Sequence, residues 1–179
     1  LKVKVLEECG YNHALLGTSL SRNQPPEKME LVCKSLAPKN GGHNKFLEFI
    51  SVWIDITAPR YWWQQMATYR IGNSWLSEST MYTITKKPLS QEDFEKRIDP
   101  EILKRLVLMH YENADRDEIK NNLPEGFLQR RIMITNYKAL KNIIDQRHDH
   151  KLSEWRYFCN EILDQIEHPE FIVPPFEEK

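Results

Sequence analysis

The sequence predicts an α+β domain, a mixed or antiparallel sheet packed with helices, on three observations. Two runs, residues 47–57 and 127–135, have the β-branched and aromatic content of strands and alternate with period two. The stretches around them follow helical spacing, and strands and helices mix in no fixed order, which argues against a repeating βαβ fold. Finally, 179 residues with 40% hydrophobic content, including five Trp, seven Tyr and seven Phe, suffice for one buried core. We therefore read residues 1–179 as a single domain, with 170–179 as a loose tail.

The first strand is read over residues 2–8, where Val3 and Val5 share a face and Gly10 supplies a stop. Residues 12–21 and 27–37 are helical, separated by a turn in which two prolines suit a helix entry. The strongest loop signal, PKNGGHN, precedes strand 47–57, where Ile50, Val52, Ile54 and Ile56 form an apolar face. Leu47, Phe49 and Trp53 partly fill the other face, so cover on both sides is expected. Pro59 opens an aromatic helix, RYWWQQMATYR, and GNSWLSESTMY follows as a polar loop. Residues 90–122 hold two charged helices, one over 100–112 with Ile102, Leu103, Leu106 and Met109 inward. Strand 127–135 leads to helix 136–147, with Tyr137, Leu140, Ile143 and Ile144 inward, and then to helix 152–166.

Composition removes several function classes. Twenty-five Lys and Arg against 26 Asp and Glu leave a net charge of -1, without the positive excess of a nucleic-acid or anionic-membrane binder. No apolar run approaches the ~18 residues of a membrane span, and LKVKVLEECG lacks the apolar block of a signal peptide. Cys9, Cys33 and Cys159 are odd in number and far apart, which suits a reducing, cytoplasmic setting. Walker, GxGxxG, HExxH and GxSxG motifs are absent from the sequence.

Three constellations bear on chemistry. Alternation puts Arg130 beside Ile132 and Ile134, and Arg131 beside Met133 and Thr135, while Arg147 ends the apolar stripe of the next helix. A guanidinium at a core edge needs a partner or a ligand. Singly, each reads as a structural ion pair or a packed stem; together, three in one strand–helix unit point to an anion pocket. Next, Gln65 and Tyr69 are placed on one helix face, Arg70 closes the helix, and Ser74, Ser77 and Ser79 follow. That set suits a phosphorylated planar ligand, although alone it reads as a buried helix and a Ser-rich turn. Last, His148-Asp149-His150 has metal-type residues but sits between helices, where a solvated loop is favoured and no metal is expected. His43, in the GGHN turn, is open to either reading.

The arrangement resembles the flavin-dependent thymidylate synthases. One block, GGHNKFLEFISVWIDITAPRYWWQQMATYRIGNSWLSESTMY, is similar to the family's strand, Ala-Pro, aromatic helix and signature loop, RHRxxSxNxxSxR. A second, LPEGFLQRRIMITNYKALKNIIDQRHDHKLSEWR, is similar to its Leu-Pro turn, strand and paired helices. The resemblance implies methylation of dUMP to dTMP with FAD, NADPH and methylenetetrahydrofolate. It also implies a homotetramer with sites at subunit interfaces, the aromatic load serving core and interface together. On matching positions it assigns Gln65, Ser79, Arg130 and Arg147 to dUMP, with Ser79 on the phosphate beside Arg130 and Arg147 against the uracil ring. Tyr82 matches the tyrosine after the motif, and Arg70, Asn142, His150 and His43 are assigned to the FAD side.

The chain also departs from the pattern. Thr68 and Tyr69 replace the Arg-His of RHR, and Met81 stands where the final motif arginine falls. The motif asparagine is Trp75 or Leu76, and the first motif serine Asn73 or Ser74. Lys86, Lys87 or Arg131 are the candidates to replace the lost phosphate cation. The departures leave a second reading open, a non-catalytic homologue that keeps the scaffold for nucleotide binding or assembly.

Overall fold

The computed structural model describes residues 1–173; the remainder of the expected tail, 174–179, lies outside the described residues. The four strands β1 (Lys2–Cys9), β2 (Ser51–Pro59), β3 (Ser74–Ser77) and β4 (Leu128–Asn136) form one antiparallel sheet in the order β1-β2-β4-β3. Eight helices accompany it among the described residues: α1 (Tyr11–Leu20), α2 (Met29–Leu36), α3 (Arg60–Met66), α4 (Thr80–Thr83), α5 (Pro100–Tyr111), α6 (Arg116–Asn121), α7 (Tyr137–Arg147) and α8 (Ser153–Gln165). The α+β expectation stands. No helix among the described residues is long and apolar enough to cross a membrane.

Beyond shifts of one or two residues at most elements, two boundaries differ substantially from the sequence reading. Lys45–Phe49 is a 3-10 turn, so β2 starts at Ser51 and not at residue 47. Phe46 and Leu47 are buried from that turn, so their apolarity marks a core-facing bend. In β2 itself Val52, Ile54, Ile56 and Ala58 are fully buried, while the opposite face is half-covered. Helix α3 stops at Met66, four residues short of the expected Arg70. The cause is Thr68: its amide and hydroxyl both donate to the Gln65 carbonyl, at 3.1 and 2.7 Å, diverting the backbone from the helical ladder. Gln65 and Tyr69 therefore do not share a helix face. The expected polar loop after Gly72 is partly ordered, as β3 and the single turn of α4.

The chain divides into two compact units. The smaller comprises Leu1–Lys2, Ile56–Thr68 and Leu76–Arg131. One of its apolar clusters gathers Ile84, Phe94, Leu106, Met109, Ile119 and Phe127. Asp99 caps α5 by accepting from the Glu101 amide at 2.8 Å, and Pro100 takes the first turn, where a missing N–H does no harm. On α3, Trp62, Trp63 and Met66 are buried, and the Trp63 indole N–H donates to the Gln129 carbonyl at 3.0 Å.

The larger unit comprises Val3–Asp55, Tyr69–Trp75 and the chain from Ile132. The four residues predicted to face inward from α7, Tyr137, Leu140, Ile143 and Ile144, are fully buried, as are Trp155, Phe158 and Ile162 of α8. Asn136 stands outside α7 as its cap, accepting from the Ala139 amide at 3.0 Å. The Tyr137 phenol donates to Glu8 at 2.7 Å and accepts from the His168 amide at 3.0 Å. That junction carries the chain into a last 3-10 turn, Pro169–Phe171, and Phe171 and Ile172 are buried, so this part of the expected tail is packed.

Gly10 joins β1 to α1 at φ +101, and a Cβ there would collide with the Phe49 carbonyl oxygen, a backbone atom that cannot swing aside. Gly10→Ala combines that collision with left-handed strain, so a loss of about 1–3 kcal/mol is expected, read as a lower midpoint in urea unfolding.

Candidate functional site

In the larger unit the site grows from the end of α7. Seven residues past Leu140 and three past Ile144, Arg147 continues the buried stripe to the core edge, where it is half-buried. Its guanidinium lies over the Trp155 ring at 4.7 Å and the Tyr69 ring at 5.5 Å, and its Nε donates to the Tyr69 phenol oxygen at 2.7 Å. Among the described residues no carboxylate pairs with it. A guanidinium stacked on aromatic rings and not offset by a carboxylate is of the kind that can meet an acceptor.

Tyr69, three residues past the end of α3, is buried and packs edge-on to Trp155, centroids 6.1 Å apart. Its hydroxyl donates to Gln146 Oε1 at 3.2 Å, and Gln146 Nε2 donates to Asn142 Oδ1 at 2.9 Å. Asn142 in turn lines a groove of about 600 Å³ with Asn40, Gly72, Lys138, Lys141 and others. Lys138 pairs with Glu48 at 2.6 Å and Lys141 with Asp145 at 2.8 Å. Arg70, two residues before Gly72, is exposed.

His150 follows α7, its ring edge-on to Trp155 at 6.4 Å and its Nδ1 accepting from the Leu152 amide at 3.2 Å. Desolvation, then the charges of Arg147, Arg156 and Lys151, hold its pKa below the ordinary histidine value, so the ring is neutral at pH 7. Cys159, fully buried below, has its thiol pushed up to about 12 by burial, against a small opposing pull from Arg147. It stays protonated and unreactive at neutral pH.

Asn142, Arg147 and His150 are thus brought together in one unit. His43 belongs to the same unit but is exposed on a separate groove of about 460 Å³ between α1, α2 and the 45–49 turn. Among the described residues the His148-Asp149-His150 run gathers no ligand set: His148 Nδ1 lies 2.9 Å from the Ile144 carbonyl oxygen and His150 Nδ1 accepts from the Leu152 amide. Metal-type side chains do converge at Glu8, Glu167 and His168, but both Glu8 oxygens already accept, from Tyr137 and from the Glu167 amide at 2.9 Å.

In the smaller unit, Ser79 is exposed and begins α4, its carbonyl taking the Tyr82 and Thr83 amides. The neighbouring Glu78 is zipped to Arg130: Glu78 N donates to the Arg130 carbonyl at 3.0 Å, and Arg130 N donates to Glu78 Oε1 at 3.0 Å. The pairing sets Ser79 beside the strand position of Arg130. Arg130 itself is exposed, a correction to its expected place among apolar neighbours. Met133 and Thr135 are the buried residues of β4, so the half-buried arginine is Arg131, whose guanidinium stacks 4.3 Å over Trp63. Gln65 is half-buried at the end of α3, and Tyr82 is exposed.

Of the cations considered as substitutes near Met81, Lys87 pairs with Asp93 at 3.0 Å, Arg131 lies on Trp63, and Lys86 lines a depression of about 900 Å³ that Met81 also lines. A residue the sequence did not single out is Lys120 of α6, whose ammonium lies 3.4 Å from the Met81 sulfur. The linkage of Tyr69 to Gln146 and Arg147 is equally invisible, because no local spacing joins residues 77 or more apart, and Trp155 reads from sequence as core alone.

The model of a family described as thymidylate synthase complementing protein matches residues 10–169. No curated protein matches the chain. Among solved structures the chain is similar to a flavin-dependent thymidylate synthase ThyX from Helicobacter pylori complexed with FAD and dUMP, with TM-score 0.81 and 18% identity over 96% of this chain and 98% of that chain. It is also similar to a second structure of thymidylate synthase X from that organism with FAD and dUMP, with TM-score 0.77 and 18% identity over 96% and 97%. At that identity the likeness is one of fold.

Proposed function

The chain belongs to the thymidylate synthase complementing protein family, and from that premise we propose that it is a flavin-dependent thymidylate synthase acting on dUMP or a related pyrimidine nucleotide. The observation that carries the reading is Arg147, a half-buried guanidinium with aromatic faces around it and no carboxylate partner among the described residues. A pyrimidine ring offers the carbonyl oxygens such a group would meet, and negative charge developing on that ring would be stabilised there. The phosphate would fall to Ser79 and Arg130, with Lys120 contributing positive charge near Met81.

The groove beside α7 offers a flavin dinucleotide amides at Asn40 and Asn142 and ammonium groups at Lys138 and Lys141, the latter two each shared with a lining carboxylate, Glu48 and Asp145; Arg70 is exposed two residues before Gly72. Arg70, Asn142 and the neutral His150 would hold the group; His43 lines a separate groove, while its neighbours Asn40 and Asn44 line this one. Bound FAD would supply the electron pair that reduces the one-carbon unit of methylenetetrahydrofolate, drawn from NADPH. The chain's own residues bind, orient and polarise, and its buried Cys159 is not a nucleophile. A homotetramer is part of this reading, supported by exposed apolar side chains such as Leu20, Leu31, Ile71 and Leu76.

The second reading, a non-catalytic nucleotide-binding or assembly homologue, is favoured by Met81 in place of the motif arginine and by Thr68-Tyr69 in place of Arg-His. The first test is spectroscopic. Titrated with FAD, the protein should turn yellow and retain the flavin bands through gel filtration; a protein left colourless would remove the flavin reading.

A further inference from the structure

We propose that Tyr69 is the positioning residue for Arg147: its phenol oxygen holds the guanidinium by Nε, leaving both terminal amino groups for the nucleotide. The inference rests on the reading of Arg147 as a base-contacting group, and it concerns how this chain fixes that group without the histidine of the family pattern.

Three observations support it. The Arg147 Nε to Tyr69 oxygen distance of 2.7 Å is the short, charge-assisted kind. The phenol proton is committed to Gln146 Oε1 at 3.2 Å, so the tyrosine's lone pairs are turned to the arginine. Gln146 is held in turn by its donation to Asn142 at 2.9 Å. The three bonds run in one direction, from Arg147 through Tyr69 and Gln146 to Asn142. The same run ties the arginine to a residue on the wall of the 600 Å³ groove.

The anchor is also neutral. A carboxylate at this place would orient the guanidinium but cancel its charge, weakening its pull on an electron-rich ring oxygen. A phenol orients it and leaves the charge intact. Burial of Tyr69 against Trp155 keeps water from competing for the bond.

Tyr69→Phe removes the acceptor while keeping the ring against Trp155 and Arg147. The expected result is dUMP binding about tenfold weaker by calorimetry, the loss of one hydrogen bond to a charged group, with FAD affinity and melting temperature nearly unchanged. Tyr69→His, which restores an acceptor, should recover part of the affinity. In parallel, the Arg147 Nε–H should give a resolved, slowly exchanging signal in 15N spectra of the parent protein and lose it in Tyr69→Phe. Equal dUMP affinity in parent and Tyr69→Phe would overturn the proposal. If the parent binds no dUMP, the assignment of substrate fails by itself and the Nε–H signal decides: loss on substitution supports positioning by Tyr69, and an unaltered signal overturns it.

Discussion

Trp155→Ala should lower stability by about 3–5 kcal/mol, the range for truncating a large buried aromatic. The indole is fully buried and meets Phe158 edge-on at 6.0 Å, Tyr69 at 6.1 Å and His150 at 6.4 Å. Removing it opens a cavity under three rings at once and takes away the face on which Arg147 lies. Urea unfolding followed by circular dichroism reads the loss. Trp155→Phe separates packing from polarity: it keeps an aromatic face and should lie much closer to the parent. A midpoint for Trp155→Ala equal to that of the parent would mean that α8 is not packed as described.

Arg147→Ala should have the opposite profile, a large loss of ligand affinity with little change in fold. The side chain is only half-buried and makes no ion pair among the described residues, so its removal leaves no buried carboxylate stranded. The freed Tyr69 hydroxyl still reaches Gln146. Hydrogen bonds from a charged group are each worth about 1.5–3 kcal/mol, so dUMP affinity should fall by about 10- to 100-fold. Arg147→Lys keeps the charge but not the planar fork and should recover only part of it. An affinity unchanged in Arg147→Ala would take the residue out of the site.

The sequence pattern made both central strands and the α7–α8 pair legible, because there the same residues answer to period and burial together. Tyr137, Leu140, Ile143 and Ile144 lie inward as their spacing requires. It misled where a side chain competes with the backbone. A helix-compatible run through Arg70 gave no sign that the Thr68 hydroxyl would close α3 at Met66, or that Tyr69 would bond Arg147. It was also silent on which face of β4 is covered. Arg130 and Arg131 alternate with apolar residues equally well, and only packing against Trp63 decides that Arg131 is the half-buried one. Arg147 was found because a charge at the end of an apolar stripe is anomalous wherever it occurs. Lys120 was missed because a lysine on a charged helix is ordinary until a tertiary contact brings it to Met81.

The central claim is that this chain methylates a pyrimidine nucleotide, and product formation tests it directly. Protein incubated with dUMP, FAD, NADPH and methylenetetrahydrofolate carrying 13C in its methylene carbon should yield dTMP bearing that carbon, detected by mass spectrometry. Labelled dTMP from the parent protein, lost in Arg147→Ala, is the predicted result. Protein that binds both FAD and dUMP yet forms no labelled product would contradict it, and would establish the chain as a nucleotide-binding homologue without the reaction.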